Sequence, residues 1–253
     1  MKFGAIIIGD EILSGKRQDK HMAKLIGALS ARGLELAWAQ YLGDDTPLIT
    51  ATLKRVFTME DIVFSFGGIG ATPDDHTRQC AANAAGVGLK LHPDAEAEIR
   101  ARFIDDPKGV TPQRLEMGTY PEGSNIIPNS FNRIPGFNYK NVYFVPGFPQ
   151  MAWPMIDWVL DTHYKHLFDA NRIGESAIIV REAGESLLID LMKAVQGKYA
   201  AVKVFSLPRV SPERFIELGA RGNPAQVEQA IAELKAGVTA MNFPWVDAPK
   251  FGG

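Results

Sequence analysis

Apolar and polar positions follow two rhythms along the chain. Short apolar runs at residues 3–8 and 61–66 have the length and the β-branched or aromatic content of buried strands, and residues 35–41 read as a further strand. Between them, Met22, Leu25, Ile26 and Leu29 recur at i, i+3, i+4 and i+7, which predicts an amphipathic helix over residues 19–32 with Gly33 as its C-cap. Ile49, Leu53 and Val56 mark a second helix, begun near Thr46-Pro47 with proline in the first turn. The Ala-rich segment 74–85 predicts a third. Alternating strands and helices predict a parallel sheet with right-handed crossovers, the frame of a three-layer α/β domain. The same alternation brings Asp10, Asp44 and the loop after residue 66 to one edge, at the C-terminal ends of the strands, where open α/β sheets bind ligands.

Further along, residues 92–108 are charged, with Ile99 and Phe103 on one face, and predict a solvated helix over the sheet. Residues 112–138 are rich in Pro, Gly and Asn around a short strand at Ile126 and Ile127, and are expected to form an irregular rim. A strand at 141–145 ends at Pro146-Gly147, and a helix follows at 151–160 with Met155, Ile156 and Val159 apolar. Near residue 170 the order changes to strand 177–180, helix 185–196, strands 202–206 and 214–218, and helix 224–236. That order predicts a small α+β domain, with the boundary between domains 1–168 and 169–253. Gly219 and Gly222 fit a GxxG pattern but follow a strand, whereas the RNA-clamping loop of that pattern joins two helices. The apolar tail 241–253 is expected to dock on a neighbour.

Composition narrows the classes. Lys plus Arg total 27 against 29 Asp plus Glu, so there is no basic footprint for nucleic acid and no polybasic membrane signal. The single Cys80 excludes an intramolecular disulfide framework and a cysteine zinc site, and reads as a buried structural thiol. No apolar run reaches transmembrane length, and residues 1–8 have neither the charged flank nor the cleavage pattern of a signal peptide, so a cytoplasmic protein is expected.

The chemistry concentrates in Phe66-Gly67-Gly68-Ile69-Gly70-Ala71-Thr72-Pro73-Asp74-Asp75-His76-Thr77. Three glycines in four residues let backbone approach a ligand closely and take positive φ, and amides at a following helix start favour an anion. Asp74 and Asp75 beside such a site would repel a bare phosphate, so a divalent cation, magnesium by preference, is expected to bridge them to phosphate oxygens. A plainer reading has Thr72 or Asp74 capping the helix and the glycines making a tight turn. Asp10/Glu11 and Asp44/Asp45 are further carboxylate pairs on neighbouring loops. His163 and His166 have a spacing that could bind metal, but lack a third ligand and read as a solvated helix end. His76 and His21 are further candidates for ligand contact.

Gly67 to Thr77 resembles the GGTGPTxxDxT signature of the molybdopterin-binding (MoaB/MogA-like) domain, and most closely its version in the N-terminal part of the competence/damage-inducible (CinA) family. Gly9-Asp10-Glu11-Ile12-Leu13-Ser14-Gly15 is similar to that family's opening motif, Leu42-Gly43-Asp44-Asp45 to its second acidic turn, and Val145-Pro146-Gly147-Phe148-Pro149 to its PGxP turn. Ala71 stands where the signature usually has proline, which alters loop stiffness. Asp19-Lys20-His21 stands where relatives often have Asn-Thr-Asn.

The resemblance implies a second, KH-like small domain, no counterpart of the deamidase domain that ends many full-length members, and a homo-oligomer, dimer or trimer. It implies a pterin or adenine-nucleotide ligand and, with a divalent cation, a pyrophosphatase acting on compounds such as ADP-ribose. The alternatives are a molybdopterin adenylyltransferase-like protein and a binding module without turnover. Asp75 and Asp44 would be the catalytic and metal-binding carboxylates, with Asp74 also at the metal. Gly67, Gly68, Ile69, Gly70, Thr72, Asp10, Glu11, Ser14, Gly15, Pro146 and Gly147 would surround the ligand, the loop amides and the Thr72 hydroxyl holding phosphate oxygens.

Overall fold

The computed structural model describes residues 1–168, 173–209 and 214–249, which fall into two units, Met1–Leu167 and Phe168–Gly253. In the first, the elements run β1 (Phe3–Ile8), α1 (Asp10–Leu13), α2 (His21–Ser30), β2 (Leu36–Leu42), α3 (Thr46–Val56), β3 (Ile62–Phe66) and α4 (Thr77–Ala85). They continue with β4 (Leu89–Leu91), α5 (Pro93–Arg102), α6 (Pro112–Glu116), β5 (Thr119–Pro121), β6 (Asn125–Ile127), β7 (Gly136–Tyr139), β8 (Val142–Val145) and α7 (Pro149–His163). Six strands form one sheet in the order β2-β1-β3-β8-β7-β6, the first four parallel and the last two antiparallel additions.

Register explains the layering. Ile6 lies beside Ser65, which lies beside Phe144, and Ile7 beside Phe66, which lies beside Val145, so residues in each row share a face. One face packs Ile6, Ile8, Val63 and Phe144 against Ile49, Leu53 and Val56 of α3 and Cys80 and Ala81 of α4. The opposite face meets α2, where His21 stacks on Phe66, and α7, which is tied to α2 by Lys24–Asp157 and Arg32–Asp161 ion pairs. Strands buried on both faces are what unbroken apolar runs mean in a parallel sheet. Cys80 is buried, and burial pushes its thiol up, so it is a core residue.

Several boundaries differ from expectation for local reasons. The third helix begins at Thr77, not at residue 74, because Thr72, Pro73, Asp74 and Asp75 form a turn in which the Asp75 N–H donates to the Thr72 carbonyl at 2.9 Å. Asp10 begins a four-residue helix, where a loop was expected. The first amphipathic helix spans His21–Ser30, entered under the Asp19 carboxylate, which accepts the N–H groups of His21 and Met22 at 2.8 and 3.1 Å. The stretch expected to be irregular contains the short strand expected at Ile126 and Ile127, now β6, and also α6, β5 and β7; β5 pairs with β4 and β7 with β8, which the mixed Pro and Gly content concealed. Helix α7 begins at Pro149, earlier than residue 151, with proline in its first turn.

The second unit has β9 (Gly174–Arg181), α8 (Glu185–Lys198), β10 (Val202–Arg209), β11 (Phe215–Gly222), α9 (Pro224–Ala240) and β12 (Trp245–Asp247). Its antiparallel sheet is ordered β10-β11-β9-β12, with Ile178, Val180, Leu218 and Ala220 packed against Leu188, Val195, Val227 and Leu234. This is the small α+β unit expected. Gly219 and Gly222 lie within β11, with no loop between two helices. The tail was expected to dock on a neighbour; instead Trp245, Val246 and Asp247 pair with Val180, Ile179 and Ile178 of the same unit. Residues 250–253 of that tail, and 169–172 at the expected domain boundary, lie outside the described residues. No helix among the described residues is long and apolar enough to cross a membrane.

Candidate functional site

A cleft of about 410 Å3 opens at the C-terminal ends of β1, β2, β3 and β8. Its floor is Gly67 to Thr72, where the chain leaves β3 and turns back across the sheet edge. Two glycines are required here. Gly67 has φ 96°, and a Cβ there would lie 2.4 Å from the Ile8 carbonyl oxygen; Gly68 has φ 69°, and a Cβ there would lie 2.2 Å from Thr77 Oγ1. The buried Thr77 donates that hydroxyl to the Gly67 carbonyl at 3.1 Å, and its N–H donates to the Gly68 carbonyl at 2.9 Å. The first turn of α4 therefore latches the loop from beneath, and this N–H is directed at the loop carbonyl.

Carboxylates gather on one side. Glu11, Asp44, Asp74 and Asp75 line the cleft. Asp10 and Asp44 exchange bonds: the Asp10 N–H donates to Asp44 Oδ2 at 3.0 Å, and the Asp44 N–H to Asp10 Oδ1 at 3.2 Å. Burial first, then the charges of Asp10, Glu11 and Asp74, hold the Asp44 carboxyl above its ordinary range. Asp75 folds back over Gly70, and its Oδ2 accepts both the N–H and the hydroxyl of Thr72, at 2.9 and 2.5 Å. A Cβ on Gly70 would lie 2.4 Å from that same oxygen, so the third glycine makes room for Asp75. The loop hydroxyl expected to face a ligand thus donates to Asp75 here.

The lining also has an apolar part, made by Met117, Ile134, Pro135, Phe148 and Met151, and Phe148 is exposed. Arg17 is the one cationic side chain among the described residues of the lining. Of the residues expected around the ligand, Glu11, Asp44, Gly67, Gly68, Ile69, Gly70, Thr72, Asp74, Asp75, Pro146 and Gly147 are brought together in this cleft. Asp10 stands behind Asp44, and Ser14 and Gly15, at the end of α1, are not in the lining. His76 borders a second cavity on the far side of the loop, and His21 is buried. The His21 Nε2–H donates to the Gly147 carbonyl at 3.2 Å while its ring stacks on Phe66, so it supports the Pro146-Gly147 turn from inside. Burial lowers its pKa, and Nδ1 has no partner.

Sequence reasoning missed Arg17, Met117, Asn132, Ile134, Phe148 and Met151. Asn132 and Ile134 are placed by a local network: the buried Asn129 donates to Asn132 Oδ1 at 2.8 Å and to the Ile134 carbonyl at 2.9 Å. The Asn129-x-x-Asn132 spacing was the available signal. Among the described residues no group of three or more His, Cys, Asp or Glu is arranged to hold a metal ion by protein ligands alone.

The parallel sheet, the glycine floor and the flanking carboxylates define an α/β domain of the molybdopterin-binding type. The chain belongs to the family described as the probable molybdopterin binding domain, matched over residues 4–166. It is 30% identical over 160 residues to a CinA-like protein of Syntrophotalea carbinolica, covering 62% of this chain and 39% of that one. It is 32% identical over 161 residues to a putative competence-damage inducible protein of Lacticaseibacillus casei, again covering 62% and 39%. A CinA-like protein of Desulfovibrio desulfuricans aligns over 248 residues at 27% identity, covering 92% of this chain and 55% of that one. These alignments therefore span well under two thirds of the relatives' own length. The crystal structure of the CinA protein of Thermoplasma acidophilum superposes with a TM-score of 0.56 at 28% identity, covering 64% of this chain and 98% of that one.

Proposed function

We propose that the cleft binds a phosphorylated heterocycle, a molybdopterin or an adenine nucleotide, and, with a divalent cation, hydrolyses the phosphoanhydride of a nucleotide pyrophosphate such as ADP-ribose. One observation carries the reading: a glycine loop, an apolar group of side chains and four carboxylates line one cleft, with Arg17 as the one cationic side chain among its described lining residues. An anionic ligand in that setting needs added positive charge. The donor set fits a hard cation, since burial first and then its acidic neighbours hold the Asp44 carboxyl above its ordinary range, and magnesium commonly takes one or two carboxylates and completes its shell with phosphate oxygens and water. One or two of Asp44, Asp74 and Asp75 would hold it, with phosphate oxygens and water completing the shell. When bound, such an ion neutralises pyrophosphate charge and polarises a phosphorus oxygen.

The chain's own groups do the rest. Backbone of Gly68 to Ala71 positions the phosphates, Arg17 offers a cation to them, and Phe148 with Met151 provides an apolar surface for the ring. In hydrolysis water attacks one phosphorus, the bridging P–O bond breaks, and ADP-ribose yields AMP and ribose 5-phosphate. A binding module without turnover is favoured instead by a specific feature: Asp75 Oδ2 is doubly bonded to Thr72, and Asp44 Oδ2 to the Asp10 N–H. A homo-oligomer, dimer or trimer, is also proposed, supported by the exposed Leu13, Ile26 and Leu48, and tested by light scattering. Assays with ADP-ribose, FAD, NAD, ATP and molybdopterin, with and without magnesium, manganese or cobalt, separate the readings. AMP release supports hydrolysis, transfer of AMP from ATP to molybdopterin supports an adenylyltransferase, and stabilisation without product supports a binding module.

A further inference from the structure

Arg78 lies on the buried side of α4, 5% exposed, and its guanidinium is spent on backbone carbonyls. One terminal nitrogen donates to the Gly70 carbonyl at 2.7 Å; the other donates to the carbonyls of Glu116, at 2.5 Å, and Thr119, at 3.2 Å. The Glu116 carboxylate is 3.6 Å from the same head group, and Arg78 Nε has no partner. The acceptors belong to different walls of the cleft. Gly70 is in the glycine floor and lies under Asp75, whereas Glu116 and Thr119 bracket Met117 on the apolar side. Behind the loop lies a cavity of about 320 Å3 bordered by Thr72, Asp75, Arg78 and Glu116, and Arg78 crosses from the floor to the Glu116–Thr119 segment there.

We propose that Arg78 is a positioning residue that sets the width of the cleft by clamping Gly70 to the Met117 segment, so that Asp75 and the apolar wall are held at one separation. A planar fork can span two walls; a lysine ammonium, a point donor on a flexible stem, can serve one of them. The inference rests on the functional reading above only for its ligand, not for the clamp.

The test uses the full chain. Wild type, Arg78→Lys and Arg78→Gln are compared by titration with ADP-ribose in magnesium, by thermal melting and by amide hydrogen exchange. The clamp predicts that Arg78→Lys melts near wild type yet binds about tenfold more weakly, as expected for losing a bidentate contact. Exchange should rise together at residues 70–72 and 117–119 in both variants. In the wild type these two segments should open with one free energy below that of global unfolding. Wild-type affinity and exchange in both variants would overturn the clamp, and so would loosening of one wall alone. If wild type does not bind ADP-ribose, the ligand reading fails, while the exchange comparison still decides the clamp; if the variants do not fold, unequal opening of the two segments in wild type overturns it.

Discussion

Asp44 and His21 are displaced from their ordinary titration in opposite directions. For Asp44, burial and the neighbouring charges of Asp10, Glu11 and Asp74 raise the folded pKa, so ionisation costs more in the folded than in the unfolded chain. The relative stability it gives is present below the unfolded value and is lost as pH rises through the folded one. Asp44→Asn, whose amide oxygen can still accept the Asp10 N–H, should therefore gain in melting temperature over wild type as pH climbs from about 3 to about 7. A pH-independent difference would contradict this origin. For His21, burial lowers the folded pKa, so its stabilising share is full above the unfolded value near 6.5 and is lost as pH falls below that value and through the lower folded one. The melting temperature of wild type should drop more between about pH 7 and about pH 5 than that of His21→Phe, which keeps the stacking on Phe66. Equal drops would show that His21 is not the titrating group. Its position was visible as Asp19-Lys20-His21, but its inward direction was not: a capping Asp19 and a buried His21 look like an ordinary polar run.

At the scale of elements, β3 and its exit loop depend on backbone that no larger residue tolerates. Gly67→Ala would place a methyl 2.4 Å from the Ile8 carbonyl oxygen at φ 96°, and should destabilise by about 1–3 kcal/mol in denaturant titrations. A loss under about 0.5 kcal/mol would mean that the loop relaxes without strain. The parallel strands and main helices were legible because apolar runs and i, i+3, i+4 repeats are local signals. What escaped was set by pairing at a distance. β4 finds β5 and β12 finds β9 across intervening elements, and three-residue strands carry too few alternations to declare themselves. The start of α4 also escaped, because Asp75 bonds backward to Thr72 to build the turn, where its type and position suggested a helix residue.

For the whole molecule, the glycine stretch and its three neighbouring motifs were enough to bring Asp44, Asp74 and Asp75 to one edge, since strand order in a parallel sheet places successive exit loops side by side. The apolar wall was not legible: Met117, Ile134 and Phe148 come from three segments whose meeting depends on Arg78, Asn129 and the Pro146-Gly147 turn. The proposed role of this cleft, lined by a glycine loop, carboxylates and apolar side chains, is to bind and cleave a phosphoanhydride. The most direct measurement is AMP release from ADP-ribose with magnesium, manganese or cobalt, alongside ligand-induced melting shifts, in wild type and Asp75→Asn. The account predicts metal-dependent AMP release by wild type, and a variant that is still stabilised by ADP-ribose but releases AMP at least about a hundredfold more slowly. Absence of both stabilisation and product in a folded wild type across the nucleotides and molybdopterin would contradict it.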